Sequence, residues 1–220
     1  MVQISQKIFA LDEIFNLDFD KFPLASFYND YPFLIIEDFF TKQECKDIIN
    51  SLNKNENYKA KLISKESLNE NIRKTILHKP TDKIRQMFEN KINLFKIEIE
   101  SFFGVSLFRG TDIQILEYKE KGHYNCHSDN SSVLIKNGKI VGFRKVAPQR
   151  KLTTLLFLNS NFEGGEIEFC YLRYYNNKKV VLKPKEGMMI VFPSNPLFSH
   201  EVREVKKGQR YAIVKWWDVI

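Results

Sequence analysis

A chain of 220 residues, 43% of them hydrophobic, is long enough to bury a full core and short enough for one domain. Its 34 Lys and Arg against 27 Asp and Glu give a net charge of +7 scattered along the sequence, which permits an acidic partner without demanding one and lacks the basic stripe of a nucleic-acid-binding protein. The one faintly basic and aromatic stretch, KKGQRYAIVKWW at 206–217, reads as a solvated turn entering a strand.

No apolar run has the length of a membrane span, and MVQISQKIFALDEIF lacks the basic, apolar and small-residue order of an export signal, so a soluble, cytoplasmic chain without a membrane partner is expected. Cys45, Cys126 and Cys170 are odd in number and far apart. They predict neither a disulfide framework nor a thiolate zinc site and fit a reducing compartment, with Cys126 packed in the core.

In chain order, FLIIEDFF at 33–40 reads as a buried strand, and Thr41 and Glu44 stand at capping-box spacing to open a helix over TKQECKDIINSLN. Residues 53–74 show no period and are expected to be irregular, with one short strand, in a segment suited to a substrate loop. His78 is expected at the surface near a helix start. From Thr81 onward Ile84, Phe88, Ile92, Phe95, Ile99 and Phe102 recur at helical spacing, and Gly104 supplies the stop. This helix reads as scaffold.

After Gly104 the period becomes two. TDIQILEY, KLTTLLFLN, GEIEFCYLRYY, KKVVLKP, MMIVFP, HEVREV and RYAIVKWW are short strands separated by turn signals, the cadence of a sandwich or barrel such as a jelly roll. The fold class expected is α+β, mainly β, in one domain over 1–220. Residues 1–110 form a helical and mixed support, and 111–220 the strand-rich core.

Within EYKEKGHYNCHSDN at 117–130, His127 and Asp129 are two apart, so both side chains share one face of an extended strand. His200, at the start of a later strand, can be brought beside them by a jelly roll. Two imidazoles and one carboxylate on one side of an ion form the facial triad suited to non-haem Fe(II) oxygen chemistry, with open positions for O2 and a chelating cosubstrate. Arg210 begins the strand after KKGQ and can aim its planar fork at a carboxylate in the same cavity. A dicarboxylate whose other end chelates iron fits 2-oxoglutarate.

Four stretches then carry a resemblance. YKEKGHYNCHSD, RKLTTLLFLNSNFEGGEIEF, KPKEGMMIVFPS and HEVREVKKGQRYAIVKWW resemble the Fe(II)- and 2-oxoglutarate-dependent dioxygenases of the prolyl 4-hydroxylase-like branch over about 115–217, and YPFLIIEDFFTKQECKDIINSL resembles their entry strand and helix. The resemblance implies a cupin-like double-stranded β-helix with N-terminal helices packed on it, and Fe(II), 2-oxoglutarate, O2 and ascorbate as cofactors. It makes His127, Asp129 and His200 the iron ligands and Arg210 the anchor of the distal carboxylate, assisted by Tyr118 and Thr154, with Tyr124 near substrate or iron. Lys121 departs from the two glycines common in relatives, and Arg210 stands where many prolyl hydroxylases carry Lys. Asp129 implies hydroxylation, since related halogenases have a small residue there.

Gly164 and Gly165 read as a turn with positive φ, and His123 as structural. NSSVLIKNGKIVGFRKVAPQR at 130–150 reads as a hairpin turning at K-N-G-K near the cavity mouth. Arg73, Trp216 and Trp217 are candidate substrate contacts beside Tyr124. The leading expectation is hydroxylation of a prolyl or other residue in a peptide or protein. A free amino acid or other small metabolite is the alternative substrate, and a non-enzymatic metal-binding cupin-like protein the alternative class. A nucleic-acid demethylase is disfavoured because Trp216 stands where those relatives carry a second Arg. Nothing in the sequence decides an oligomeric state.

Overall fold

In the computed structural model of the protein the described residues are 1–52, 57–59 and 71–220. The first half contains β1 (Val2–Gln3), β2 (Ile8–Ala10), α1 (Asp12–Phe15), β3 (Leu34–Ile36), α2 (Lys42–Asn50), β4 (Asn57–Lys59), β5 (Arg73–Lys74), β6 (Ile76–His78) and α3 (Asp82–Phe103). The second half contains β7 (Leu107–Gly110), β8 (Gln114–Tyr118), β9 (His123–His127), β10 (Ser131–Lys136), β11 (Lys139–Lys145), β12 (Leu152–Phe157) and β13 (Glu163–Gly164). It continues with β14 (Ile167–Tyr174), β15 (Lys179–Leu182), β16 (Met189–Pro193), β17 (His200–Val202), β18 (Val205–Lys207) and β19 (Arg210–Val219). The substrate loop expected over 53–74 lies largely outside the described residues.

The two main helices begin and end as their sequences dictate. Thr41 Oγ1 accepts from Glu44 N at 3.2 Å while Glu44 Oε2 accepts from Thr41 N at 2.8 Å, closing the capping box of α2. Thr81 caps α3, and Gly104 ends it in the left-handed conformation at φ 63°. Helix α3 buries Ile84, Phe88, Ile92, Ile99 and Phe103 and leaves Leu94 and Ile97 exposed, the amphipathic stripe read from its spacing except that Phe95 and Phe102 are half-buried and Phe103 takes the last buried place.

Two antiparallel sheets form the body. One runs β1-β2-β14-β17-β9-β5 with β15 also on β14; the other runs β3-β16-β12-β19-β8-β6-β4 with β7 also on β19. Alternation along β12 and β19 divides their residues between two cores. Leu155, Phe157, Ala212, Val214 and Trp216 turn toward the first sheet, meeting Ile167, Phe169 and Val202. Leu152, Leu156, Ile213 and Trp217 turn toward Phe88, Ile92 and Ile99 of α3. Each fully buried Phe in these layers contributes about 1.5–3 kcal/mol of burial. The strand-rich half and the helices packed on one sheet agree with the expected jelly-roll class.

Two expectations are corrected. Cys126 does not pack in the core: it is exposed and forms a disulfide with Cys170, with the Cα atoms 6.3 Å apart. His127 and Phe169 point inward, so their neighbours Cys126 and Cys170 point to the sheet's outer face, where β9, β17 and β14 lie side by side. Cys45 is buried and free. His78 is not a surface residue but only 3% exposed, on the helix-facing side of β6, where it donates from Nε2 to Glu117 Oε2 at 2.7 Å. Among the described residues no helix is long and apolar enough to cross a membrane.

Candidate metal and cosubstrate site

His127 closes β9 and His200 opens β17, and the antiparallel register sets the two directly opposite one another. Asp129 follows two residues beyond His127, and one ligand atom from each of the three lies within 4.8 Å of the others. Backbone carbonyls orient both rings: His127 Nδ1 donates to Asn125 O at 2.9 Å and His200 Nδ1 to Phe198 O at 3.1 Å. Each Nε2 lone pair is thereby left for an ion. Asp129 Oδ2 accepts from Thr153 Oγ1 at 2.7 Å, and its Oδ1 stands 3.8 Å from His127 Nε2.

The electrostatics keep His127 and Asp129 in their metal-binding protonation states. Burial, with His200 alongside, pushes His127 down to about 3, so the ring is neutral. Burial alone would raise Asp129, but the two histidines, the Thr153 hydroxyl and Arg150 outweigh it and hold the carboxyl below its ordinary value. Phe192 stands edge-on to His200 at 5.0 Å between ring centroids and forms part of a dry wall behind it.

Arg210 opens β19 opposite Tyr118 and is 0% exposed. Its Nε donates to Gly165 O at 2.9 Å, and its guanidinium carbon lies 5.0 Å from the Tyr118 ring centroid and 5.3 Å from that of Phe157. Gly165 has φ +67°, and a Cβ there would stand 2.8 Å from Arg210 Cδ, so this glycine makes room for the arginine as well as turning the chain. Nη1 and Nη2 are buried with no hydrogen-bond partner among the described residues. Burial lowers Arg210 to about 10, which leaves it cationic at neutral pH. A buried cation with an empty fork calls for an anion, and a carboxylate matches that fork.

Triad and arginine share one cavity of about 470 Å³. Of the residues singled out in the sequence, His127, Asp129, His200, Arg210, Tyr118, Tyr124, Arg73 and Trp216 line it. Tyr124 stacks on His127 at 3.5 Å between centroids, and the Arg73 guanidinium lies 4.6 Å over the Tyr124 ring. Thr154 and Trp217 are not brought in. Each is one residue out of phase, on the helix-facing side, where Trp217 Nε1 donates to Thr154 Oγ1 at 3.2 Å and Thr154 Oγ1 donates to Lys215 O at 3.1 Å. The cavity instead receives Thr153, the register partner of Trp216.

Two lining residues that hydrogen-bond to Asp129 escaped the sequence reading. Thr153 holds Asp129, and Arg150 lays its guanidinium 3.7 Å over the Trp216 ring while Nη1 donates to Asp129 O at 3.2 Å. Parity was the available signal for the first: Arg210, Ala212, Val214 and Trp216 share one face, so the partner of Trp216 must share it. For Arg150, just before β12, no such signal existed.

Residues 113–218 match the family model described as the 2OG-Fe(II) oxygenase superfamily. Prolyl 3-hydroxylase 1 of Gallus gallus is 30% identical over 142 residues, covering 62% of this chain and 19% of that protein. A PKHD-type hydroxylase of Prochlorococcus marinus (strain NATL2A) is 32% identical over 136 residues, covering 61% of this chain and 52% of its own. The chain thus spans about a fifth and about half of the lengths of these relatives. Among solved structures, a prolyl hydroxylase from Trichoplax adhaerens in complex with a hypoxia inducible factor peptide fragment has a TM-score of 0.66 at 20% identity, covering 84% of this chain and 83% of that one, a likeness of fold. The motif block and its mounting on a jelly roll agree with these matches: residues 113–218 carry the likeness to the 2OG-Fe(II) oxygenase superfamily, and the chain is similar in sequence to a prolyl 3-hydroxylase and a PKHD-type hydroxylase.

Proposed function

We propose that this protein hydroxylates a C–H bond of a prolyl or other residue within a peptide or protein, inserting one atom of O2 as the other enters succinate and 2-oxoglutarate loses CO2. The observation that carries the reading is the empty, buried fork of Arg210 in the cavity that also holds His127, Asp129 and His200. Iron(II) held there supplies the activation of O2 that couples oxidation of the cosubstrate to that of the C–H bond.

The chain's own residues do the rest. Nε2 of His127, Nε2 of His200 and Oδ1 of Asp129 are the proposed ligand atoms, with Thr153 and the carbonyls of Asn125 and Phe198 fixing their orientation. Arg210 binds the distal carboxylate of 2-oxoglutarate by its Nη atoms, and Tyr118 packs against the fork. Phe192, Leu155 and Ile167 exclude water from the reacting volume. Arg150 on Trp216, and Arg73 on Tyr124, give the substrate side of the cavity planar walls rimmed by donors. Such walls suit a compact ring flanked by peptide groups, in keeping with the prolyl 3-hydroxylase among the relatives. Ascorbate is the proposed external reductant.

Anaerobic titration with Fe(II) and 2-oxoglutarate tests the site. The intact protein is expected to develop a visible metal-to-ligand charge-transfer band, His127→Ala to lose it, and Arg210→Ala to require on the order of 10²-fold more 2-oxoglutarate. No band in the intact protein overturns the assignment.

A further inference from the structure

The hairpin β10–β11 connects two residues that line the cavity, Asp129 and Arg150, and its properties differ from those of the body. Asn137 and Gly138 turn it at φ 51° and 73°, and its strands pair with one another and with no third strand among the described residues. Each therefore keeps an open backbone edge. Val133, Leu134, Ile135 and Val141 are 43–64% exposed. Between Asn130 and Phe162 the chain has six Lys and Arg and no Asp or Glu. Lys145 and Lys151 both pair with Asp20, whereas Lys136, Lys139 and Arg144 are exposed with no ion pair among the described residues.

The hairpin is nonetheless held firmly to the site. Phe143 packs edge-on against Phe19 at 5.4 Å, and the N–H groups of Val146 and Ala147 both donate to Asn130 O, at 2.8 and 3.0 Å. Asn130 directly follows Asp129, and its Nδ2 donates to Arg150 O at 3.2 Å. A chain lying along the hairpin would lead toward Asp129 and Arg150, the cavity residues that flank it.

We infer that this hairpin is a docking strand for an extended, acidic segment of the substrate polypeptide, adjacent to the residue that is hydroxylated. Open strand edges pair with peptide backbone, exposed Val, Leu and Ile accept alternate apolar side chains, and three uncompensated cations select acidic residues between them. A second copy of this hairpin is excluded as occupant by the same charges, which repel their like. Phosphate polyanions satisfy the cations but leave the backbone edges and the apolar side chains unused. The inference rests on the reading of the protein as a hydroxylase of polypeptides and names the feature by which a substrate is selected.

The test uses the full chain and fluorescent proline-centred peptides flanked on one side by alternating Val and Glu, or by Val and Lys, read by fluorescence anisotropy. The Glu peptide is expected to bind at least about tenfold tighter. The charge-reversed variant Lys136→Glu/Lys139→Glu/Arg144→Glu is expected to invert that order while keeping its 2-oxoglutarate charge-transfer band. Lys139→Glu alone, a change at the solvent-exposed turn, is expected to halve the preference or more should the triple variant fail to fold. N-methylation of alternate amides of the Glu peptide is expected to weaken binding through loss of strand pairing. Equal binding of the two peptides by a protein that shows the band overturns the docking strand alone; a protein without the band that still sorts the peptides overturns the oxygenase reading alone. Binding of an RNA oligonucleotide or of anionic phospholipid vesicles as tight as that of the Glu peptide, and lost in the same variant, makes this a general polyanion surface and overturns the inference.

Discussion

The two faces of the β12–β19 ladder are built from the same strands and serve opposite ends. Toward the helices, Leu152, Leu156, Ile213 and Trp217 pack against α3, and most polar groups there pair with one another: Thr154 with Trp217 and Lys215, His78 Nε2 with Glu117, and Glu117 with Tyr211, while His78 Nδ1 has no partner among the described residues. Toward the other sheet, the side chains leave a cavity and groups without partners among the described residues, including Arg210 Nη1 and Nη2 and Trp216 Nε1. A face that holds structure closes most of its hydrogen bonds, and a face that must receive a ligand keeps some open. Strand alternation lets one ladder do both, because neighbours in sequence answer to different partners.

Adjacent residues can therefore be set against one another. The largest contrast is expected at Trp216 and Trp217. Trp217→Ala removes a ring from the helix-facing core and should cost about 3–5 kcal/mol in urea unfolding. Trp216→Ala should leave Arg150 without its platform and raise the KM for a peptide substrate, with a smaller loss of stability. Equal stability losses and an unchanged KM would show that the two faces are not distinct in function.

A smaller contrast separates Thr153 from Thr154. Thr153→Val deletes the hydroxyl that donates to Asp129 and should weaken Fe(II) binding by about 10- to 100-fold, read by titration under anaerobic conditions. Thr154→Val should leave Fe(II) affinity unaltered and cost about 1 kcal/mol of stability through its lost bonds to Lys215 and Trp217.

The smallest effect belongs to the closed polar cluster on the helix face. Burial alone would raise Glu117, but the His78 hydrogen bond, Lys119 and the Tyr211 hydroxyl outweigh it and set its pKa below the ordinary 4.5. Its contribution to stability is thus complete above that value and lost as pH falls through the lowered pKa. Glu117→Gln should flatten the acid limb of the stability curve without moving the affinity for 2-oxoglutarate. A parallel loss of cosubstrate binding would place Glu117 in the function of the opposite face.

Much of the molecule was legible from spacing. The capping box at Thr41 and Glu44, the α3 stripe ending at Gly104, the K-N-G-K turn and the strand alternation are local patterns, and the structure repeats them. The convergence of His127, Asp129 and His200 was legible because two ligands share one strand end and a jelly roll supplies the third. The errors came at one-residue resolution or at long range. Thr154 was named where Thr153 faces the cavity, since a run such as LTTLLF is apolar on both faces and conceals its parity. His78 was placed at the surface because its partner Glu117 is 39 residues away, and Cys126 was taken as a packed thiol because Cys170 is 44 residues away.

Residue chemistry and periodicity dictate which segments become strands or helices here, and which side chains are able to bind an iron ion or a carboxylate, because these depend on neighbours a few positions apart. Which strands lie side by side, which face of each is inward, and which charged group meets which are set by sheet closure. That closure apposes distant segments through a register whose shift by one residue exchanges every inward side chain for its neighbour. The cluster of His127, Asp129 and His200 can be read from the chain alone because its members announce themselves by type. Thr153, Arg150 and the disulfide do not, and their places follow from the packing of β9, β12, β14 and β19.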